Sequence, residues 1–165
     1  MDTSTTAPAQ RPTLLTIICI LSFISGLWSA IDGFRTAFTD KAQNDLEAAR
    51  AQIDQVMDQV QGPGAEFAQQ MIEQGITLAE GRAANARPIG LAALVLALIS
   101  LFGIWLMWNL RKAGFWLYTL AAILGLLVPL FFIGFSTLAI ILLGMDAVIS
   151  LIFIILYAVN LKHMH

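Results

Sequence analysis

Residues 89–110 form an apolar run of 22 residues that contains no charged side chain. As an α-helix, such a run is roughly 33 Å long, which matches the ~30 Å hydrocarbon thickness of a bilayer. Comparable apolar runs occupy residues 13–38, 115–133 and 137–161. The chain as a whole is only 12% charged, against roughly 25% in soluble domains. The sequence therefore predicts an all-α, polytopic membrane protein built as a four-transmembrane-helix bundle.

The first apolar run, residues 13–38, is interrupted near its end by Asp32 and Arg35. These two residues fall on one helical face, where they can pair at the membrane interface. A cleavable signal peptide is the competing interpretation of this run. Arg11 is the only basic residue before it and no small-residue cleavage site follows, so we predict an uncleaved span. Residues 1–12, rich in Thr, Ala and Pro, are predicted to be a disordered tail.

Residues 39–88 differ from the spans, because they carry eight acidic and four basic side chains. Two stretches with apolar residues at helical spacing flank a Gly-Pro-Gly break at 62–64, which predicts an extramembrane amphipathic helical hairpin. We favour mutual packing of its helices, or extension of the spans, over helices lying on lipid, which are usually rich in Lys and Arg. The apolar stripes form a candidate partner surface: Leu46, Ile53, Met57, Val60, Phe67, Met71 and Ile72.

The start of the fourth span has two interpretations. A turn at 134–136 gives a span over 137–161, whereas a turn at 144–146 gives a later start. Counting back about 20 residues from Asn160 favours the earlier start. Asp146 would then lie inside the bilayer, where a carboxylate indicates a pathway, a proton site or a buried partner. With the later start Asp146 would cap the helix, and both roles remain open.

Small side chains recur at four-residue spacing along the first span and form two neighbouring ridges. Ridges of this kind let helix backbones approach closely in lipid. We favour packing within the same bundle over a homodimer face. The first ridge is Ser22, Gly26 and Ala30, and the second is Ser25, Ser29 and Gly33.

The distribution of basic residues predicts the orientation. Four spans place both termini on one side of the membrane, and the two sides carry equal numbers of Lys and Arg. Arg111 and Lys112, however, crowd a very short loop, and the positive-inside rule gives short loops the greatest weight. We therefore expect cytoplasmic N- and C-termini and an external insert. Aromatic residues near the cytoplasmic ends of the spans fit an interfacial belt: Trp105, Trp108, Trp116, Tyr118 and Tyr157.

Few residues point to chemistry. The sequence has a single cysteine, Cys19, and both histidines are among its last three residues. It contains no H-E-x-x-H, G-x-S-x-G or Gly-rich phosphate motif. A net charge of −2 offers no basic footprint for nucleic acid. We expect no catalytic residue, metal site or cofactor, and the candidate polar site within the membrane is Asp146 with Asp32 and Arg35.

Two segments of the C-terminal half, residues 108–118 (WNLRKAGFWLY) and 156–162 (LYAVNLK), resemble small uncharacterised four-span proteins of bacterial membranes. The resemblance implies a location in the bacterial plasma (inner) membrane and no known activity.

Two functions follow as expectations. The first is a non-enzymatic accessory or scaffold protein that associates with a membrane-protein partner or with copies of itself, through the acidic hairpin. The second is a small oligomeric transporter or channel that uses Asp146, with Asp32, as a proton- or cation-linked site. A membrane enzyme ranks third, because carboxylates and arginines in the insert could form a site.

Overall fold

The computed structural model describes residues 13–57, 62 and 64–164. The predicted tail, residues 1–12, lies outside this range. The described residues form six α-helices, a short 3-10 turn at Leu161–His163 and no strand, which confirms the all-α prediction. Four of the helices, α1, α4, α5 and α6, are long and apolar enough to cross a membrane. The helices are α1 (Thr13–Phe38), α2 (Lys41–Met57), α3 (Ala65–Ala84), α4 (Ala86–Trp108), α5 (Lys112–Ile133) and α6 (Thr137–Asn160).

The connection between α4 and α5 is tighter than the sequence suggested, since α5 begins at Lys112 rather than at residue 115. Leu110 adopts a left-handed backbone conformation with φ of 59°. Its N–H donates to the Met107 carbonyl (2.9 Å) and the Arg111 N–H donates to the Leu106 carbonyl (3.0 Å). This pair of bonds is the Schellman arrangement that ends a helix. Burial of the Leu110 side chain, which is 7% exposed, offsets the strain of that conformation.

Glycines bring α1, α4 and α5 into direct backbone contact. A Cβ added at Gly33 of α1 would lie 2.8 Å from the Leu94 backbone nitrogen of α4, and one added at Gly90 of α4 would overlap the Ala37 backbone of α1. A Cβ added at Gly103 of α4 would lie 2.9 Å from the Gly114 carbonyl oxygen of α5. Close approach at small residues is the usual packing mode of helices in lipid. The buried side chains nearby form the core: Leu15, Ile18, Cys19, Ile104, Met107, Leu110, Phe115, Tyr157 and Met164.

Both predicted ridges lie on faces of α1 that turn towards the other helices. Ser22, Gly26 and Gly33 are buried, and Ala30 is half-buried. The Gly26 backbone faces Leu101 of α4. Ser25 and Ser29 are exposed and line a cleft within the bundle.

Helix α6 is attached to the rest of the chain mainly at its two ends. At its start, the Ser136 hydroxyl accepts a hydrogen bond from the Ala139 N–H (3.1 Å), and Gln74 of α3 accepts one from the Leu138 N–H (3.0 Å). These acceptors satisfy two of the donors that the first turn of a helix leaves free. The helix therefore begins at Thr137, and Asp146 lies well inside it rather than at its start.

Helices α2 and α3 pack against each other, and we call residues 41–84 the α2–α3 segment. Arg50 of α2 and Glu80 of α3 form an ion pair of 2.6 Å. Gly62 and Gly64, between the two helices, have positive φ angles of 102° and 96°, a conformation that glycine adopts at little cost. The predicted break includes Pro63, which lies outside the described residues. Asn85 follows the segment and donates to the carbonyls of Gly81 (3.0 Å) and Phe132 (3.5 Å), which ties it to α5.

Candidate functional site

A cavity of about 750 Å³ lies between α1, α4, α5 and α6, and we call it the cleft. Its lining extends from Ser22 to Asp32 along α1, a distance of roughly 15 Å at the rise of an α-helix. The volume falls in the range of small-molecule sites, about 300–1,000 Å³. Apolar side chains make up much of the wall, and the polar side chains within it are mostly hydroxyls: Ser22, Ser25, Ser29, Ser100, Ser150 and Tyr118.

A buried hydrogen bond closes the cleft at one end. The Tyr157 hydroxyl of α6 donates to the Ser22 hydroxyl of α1 at 2.8 Å. Tyr157 is fully buried and Ser22 is 4% exposed. The Tyr118 ring of α5 packs edge-on against the Tyr157 ring, with centroids 5.2 Å apart. Three helices thus meet at this end of the cleft, which we call the floor. From the sequence, Tyr118 and Tyr157 are assigned to an interfacial belt, and Ser22 to a small-residue ridge.

Charged side chains gather at the opposite end, the mouth of the cleft. Asp32 of α1 pairs with Lys41 of α2 at 3.1 Å and with Arg82 of α3 at 3.7 Å. Lys41 also binds Asp45 at 2.8 Å. The pairing of Asp32 with Arg35 that the spacing allows is not the one formed, because the α2–α3 segment brings two other cations to Asp32. Arg35 is exposed on α1.

The carboxylates around Lys41 stabilise its protonated form. The hydrogen bond from Lys41 to Asp45 and the neighbouring Asp32 raise the pKa of the Lys41 ammonium above its usual 10.5, although partial burial opposes them. Because the pKa of Lys41 is raised on folding, its ion pairs stabilise the fold fully at pH values below 10.5. This stabilisation is lost as the pH rises through the raised pKa of the folded protein. Lys41 therefore keeps its positive charge across the neutral range.

Asp146 lies on the α6 wall of the cleft. Asp146 is exposed in the single chain, and no ion pair joins it to another residue that the structure describes. It also borders a second cavity, of about 390 Å³, between α2, α3, α5 and α6. Arg82 borders both cavities as well. The structure therefore places two of the three predicted polar-site residues, Asp146 and Asp32, on one cleft and leaves Arg35 outside its lining.

The arrangement is suited to holding a polar or charged molecule within an apolar surround. Hydroxyls can solvate such a molecule, and a carboxylate can balance its charge. Within residues 13–57, 62 and 64–164, no group of three His, Cys, Asp or Glu side chains is placed to hold a metal ion. Cys19 is buried and belongs to the core beside the floor.

The predicted partner surface is divided by the packing of α2 and α3. Leu46, Ile53, Met71 and Ile72 are half-buried, whereas Phe67 is 65% exposed. The side chain of Met57 and all of Val60 lie outside the described part of the chain.

Sequence reasoning missed Lys41 and Arg82 as lining residues of the cleft, and Tyr157 as the hydrogen-bond partner of Ser22. Arg82 and Tyr157 reach partners on α1 that are 50 or more residues away, and Lys41 reaches Asp32 across the α1–α2 turn, so spacing along one helix carries no signal for these pairings. Comparison of the chain with family models, with curated proteins and with solved structures finds no match.

Proposed function

We propose that the chain is an integral membrane protein in which α1, α4, α5 and α6 cross the bilayer and the α2–α3 segment lies outside it. The length and apolar composition of the four helices support this. Their outward faces carry large apolar side chains, such as Phe131 (85% exposed) and Trp116 (67% exposed). Lipid would cover these side chains, whose exposure to water would be costly. The charges of the α2–α3 segment suit a water-facing location.

We propose the bacterial plasma membrane as the location, with both termini in the cytoplasm. The basic pair Arg111–Lys112 in the α4–α5 turn supports this orientation.

Cysteine accessibility tests the orientation. We expect Lys112→Cys to react with a membrane-impermeant maleimide only from the cytoplasmic side, and Ser136→Cys only from the outside. Native Cys19 is 1% exposed and should give a low background. The reverse pattern would overturn the orientation, and reaction of both positions from one side would overturn the span between them.

We propose that the protein acts by association, as a non-enzymatic accessory or scaffold subunit whose bundle anchors an exposed α2–α3 segment. The supporting observation is an apolar tip on that segment. Val56 near the end of α2 is 47% exposed, and Phe67 near the start of α3 is 65% exposed. Both lie beside the α2–α3 connection, the part of the segment most distant along the chain from the spans. Apolar side chains on a water-facing surface are the usual anchors of protein contacts.

Substitution at the tip tests association. We expect Phe67→Glu to reduce crosslinking of the protein to its membrane partner, or to a second copy, by about tenfold, since burying a charge at an apolar contact is costly. Glu66→Gln, one residue away on the same exposed turn, is the matched control and should crosslink like the parent. A parent protein that is monomeric and uncrosslinked in its native membrane would contradict the proposal.

A second candidate function is transport by an oligomer, and the cleft with Asp146 on its wall favours it. Four spans are few for a complete pathway, so a second copy would be needed to enclose the cleft. The parent protein in liposomes would then show cation flux that Asp146→Asn abolishes. Equal flux in both proteins, or none in the parent, removes this candidate.

A further inference from the structure

Aromatic rings and a carboxylate share the walls of the cleft. Trp28, Tyr118 and Phe153 line it together with Asp146. Aromatic faces attract cations through their quadrupole, most strongly in the case of Trp. A carboxylate in the same cavity offers a counterion for the same cation. This combination suits an organic cation better than a neutral molecule.

The balance of charge around the cleft points the same way. Lys41 and Arg82 carry two positive charges at the mouth, and their partners Asp32 and Asp45 carry two negative charges. Asp45 does not line the cleft, but its bond to Lys41 makes these four groups one neutral cluster of ion pairs. Asp146 also lines the cleft but takes part in none of these ion pairs, so its carboxylate has no ionic partner among the described residues. A monovalent cation beside Asp146 would complete the balance, whereas an anion would add a second negative charge there.

The size and the entrance of the cleft distinguish an organic cation from a bare metal ion. A volume of about 750 Å³ is far larger than a metal ion needs. Helices α1 and α6 are joined at the floor by Tyr157 and Ser22. Trp28, further along α1, is 74% exposed although it also lines the cleft. Trp28 can therefore contact both a molecule inside the cleft and the surroundings of the bundle.

We propose that the cleft is a binding site for a lipophilic monovalent organic cation, with Asp146 as its counterion and Trp28 and Phe153 as its aromatic contacts. The serine hydroxyls solvate the polar part of the ligand, and the apolar wall accepts its hydrocarbon groups. Binding of this kind goes beyond the association proposed above, and it requires neither a protein partner nor translocation.

Equilibrium binding to the full chain in phosphatidylcholine nanodiscs tests the site. The probe is tetraphenylphosphonium, and tetraphenylborate, of the same shape and opposite charge, is its matched control. We expect saturable binding of one phosphonium ion per chain and no saturable binding of the borate. Equal binding of the two ions, or no saturable binding of the phosphonium, would overturn the proposal.

Substitutions at Asp146 and Trp28 connect that binding to named residues. Asp146→Asn should weaken phosphonium binding by about tenfold or more, while Asp146→Glu, which keeps the charge, should retain most of it. Asp54→Asn removes an exposed carboxylate on α2 outside the cleft lining and is the matched control. Trp28→Ala, at a highly exposed position where folding should be unaffected, should weaken binding severalfold.

If Asp146→Asn binds the phosphonium as tightly as the parent protein does, or if Asp54→Asn loses as much affinity as Asp146→Asn, the assignment of Asp146 as the counterion fails. Loss of crosslinking by Phe67→Glu leaves these results unchanged, so the two proposals can fail separately.

Discussion

Replacing Gly90 with leucine is expected to lower the thermal unfolding midpoint of the protein in mild detergent by about 6–12 °C. A Cβ at position 90 would overlap the Ala37 backbone and lie 2.8 Å from the Gly33 carbonyl oxygen. These neighbours are backbone atoms, so α1 and α4 can only accommodate leucine by separating. Overpacking costs typically 1–3 kcal/mol, and a cost of about 3 kcal/mol corresponds to that shift for a chain of this length.

Reaction of Cys19 with a thiol-reactive fluorophore provides the measurement. The chain has one cysteine, and Cys19 is 1% exposed within the core that α1 and α4 share. It should therefore react only when that core opens. Gly144→Leu is the matched control, because nothing lies within 4 Å of a Cβ at that position of α6. An unfolding midpoint of Gly90→Leu equal to that of Gly144→Leu would contradict the close crossing.

The long helices and the face by which α1 packs are predictable from sequence, because both depend on local periodicity. The 22 uncharged residues at 89–110 indicate a helix. The turn at 134–136 predicts the start of α6 at Thr137, and the length needed to cross a bilayer favours that start over the later one. The four-residue spacing of Ser22, Gly26 and Ala30 likewise indicates a packing ridge before any partner is known.

The cleft could not be predicted in the same way, because four helices contribute to it and their relative placement is a property of the folded chain. Asp32 illustrates the difference. Its neighbour on the same helix face, Arg35, is the partner that spacing suggests. Its actual partners, Lys41 and Arg82, belong to the α2–α3 segment and reach Asp32 only once that segment has packed beside α1.

Replacing Tyr157 with alanine is expected to produce the second large effect, a loss of about 3–5 kcal/mol in the free energy of unfolding. Tyr157 is fully buried among α1, α4 and α5, and it is the largest side chain of the fully buried set. Its removal leaves a cavity at the floor of the cleft and takes the hydrogen-bond partner from Ser22. Cys19, beside the floor, should then react with the fluorophore at temperatures where the parent protein is inert. Ile155→Ala, on the same helix but 52% exposed, is the control and should cost less than half as much.

Comparison with Tyr157→Phe separates the two contributions of this side chain. Phenylalanine keeps the ring and its edge-on contact with Tyr118 but removes the hydroxyl that donates to Ser22. Hydrogen bonds between helices in lipid are worth about 0.6–1.7 kcal/mol, so we expect Tyr157→Phe to cost about 1 kcal/mol. If it costs as much as Tyr157→Ala, the hydrogen bond rather than ring packing holds α6 to α1. If neither variant differs from Ile155→Ala, α6 is not anchored at Tyr157, and the cleft would have no closed floor. Binding of phosphonium in the cleft would then depend on the residues of the mouth and the walls alone.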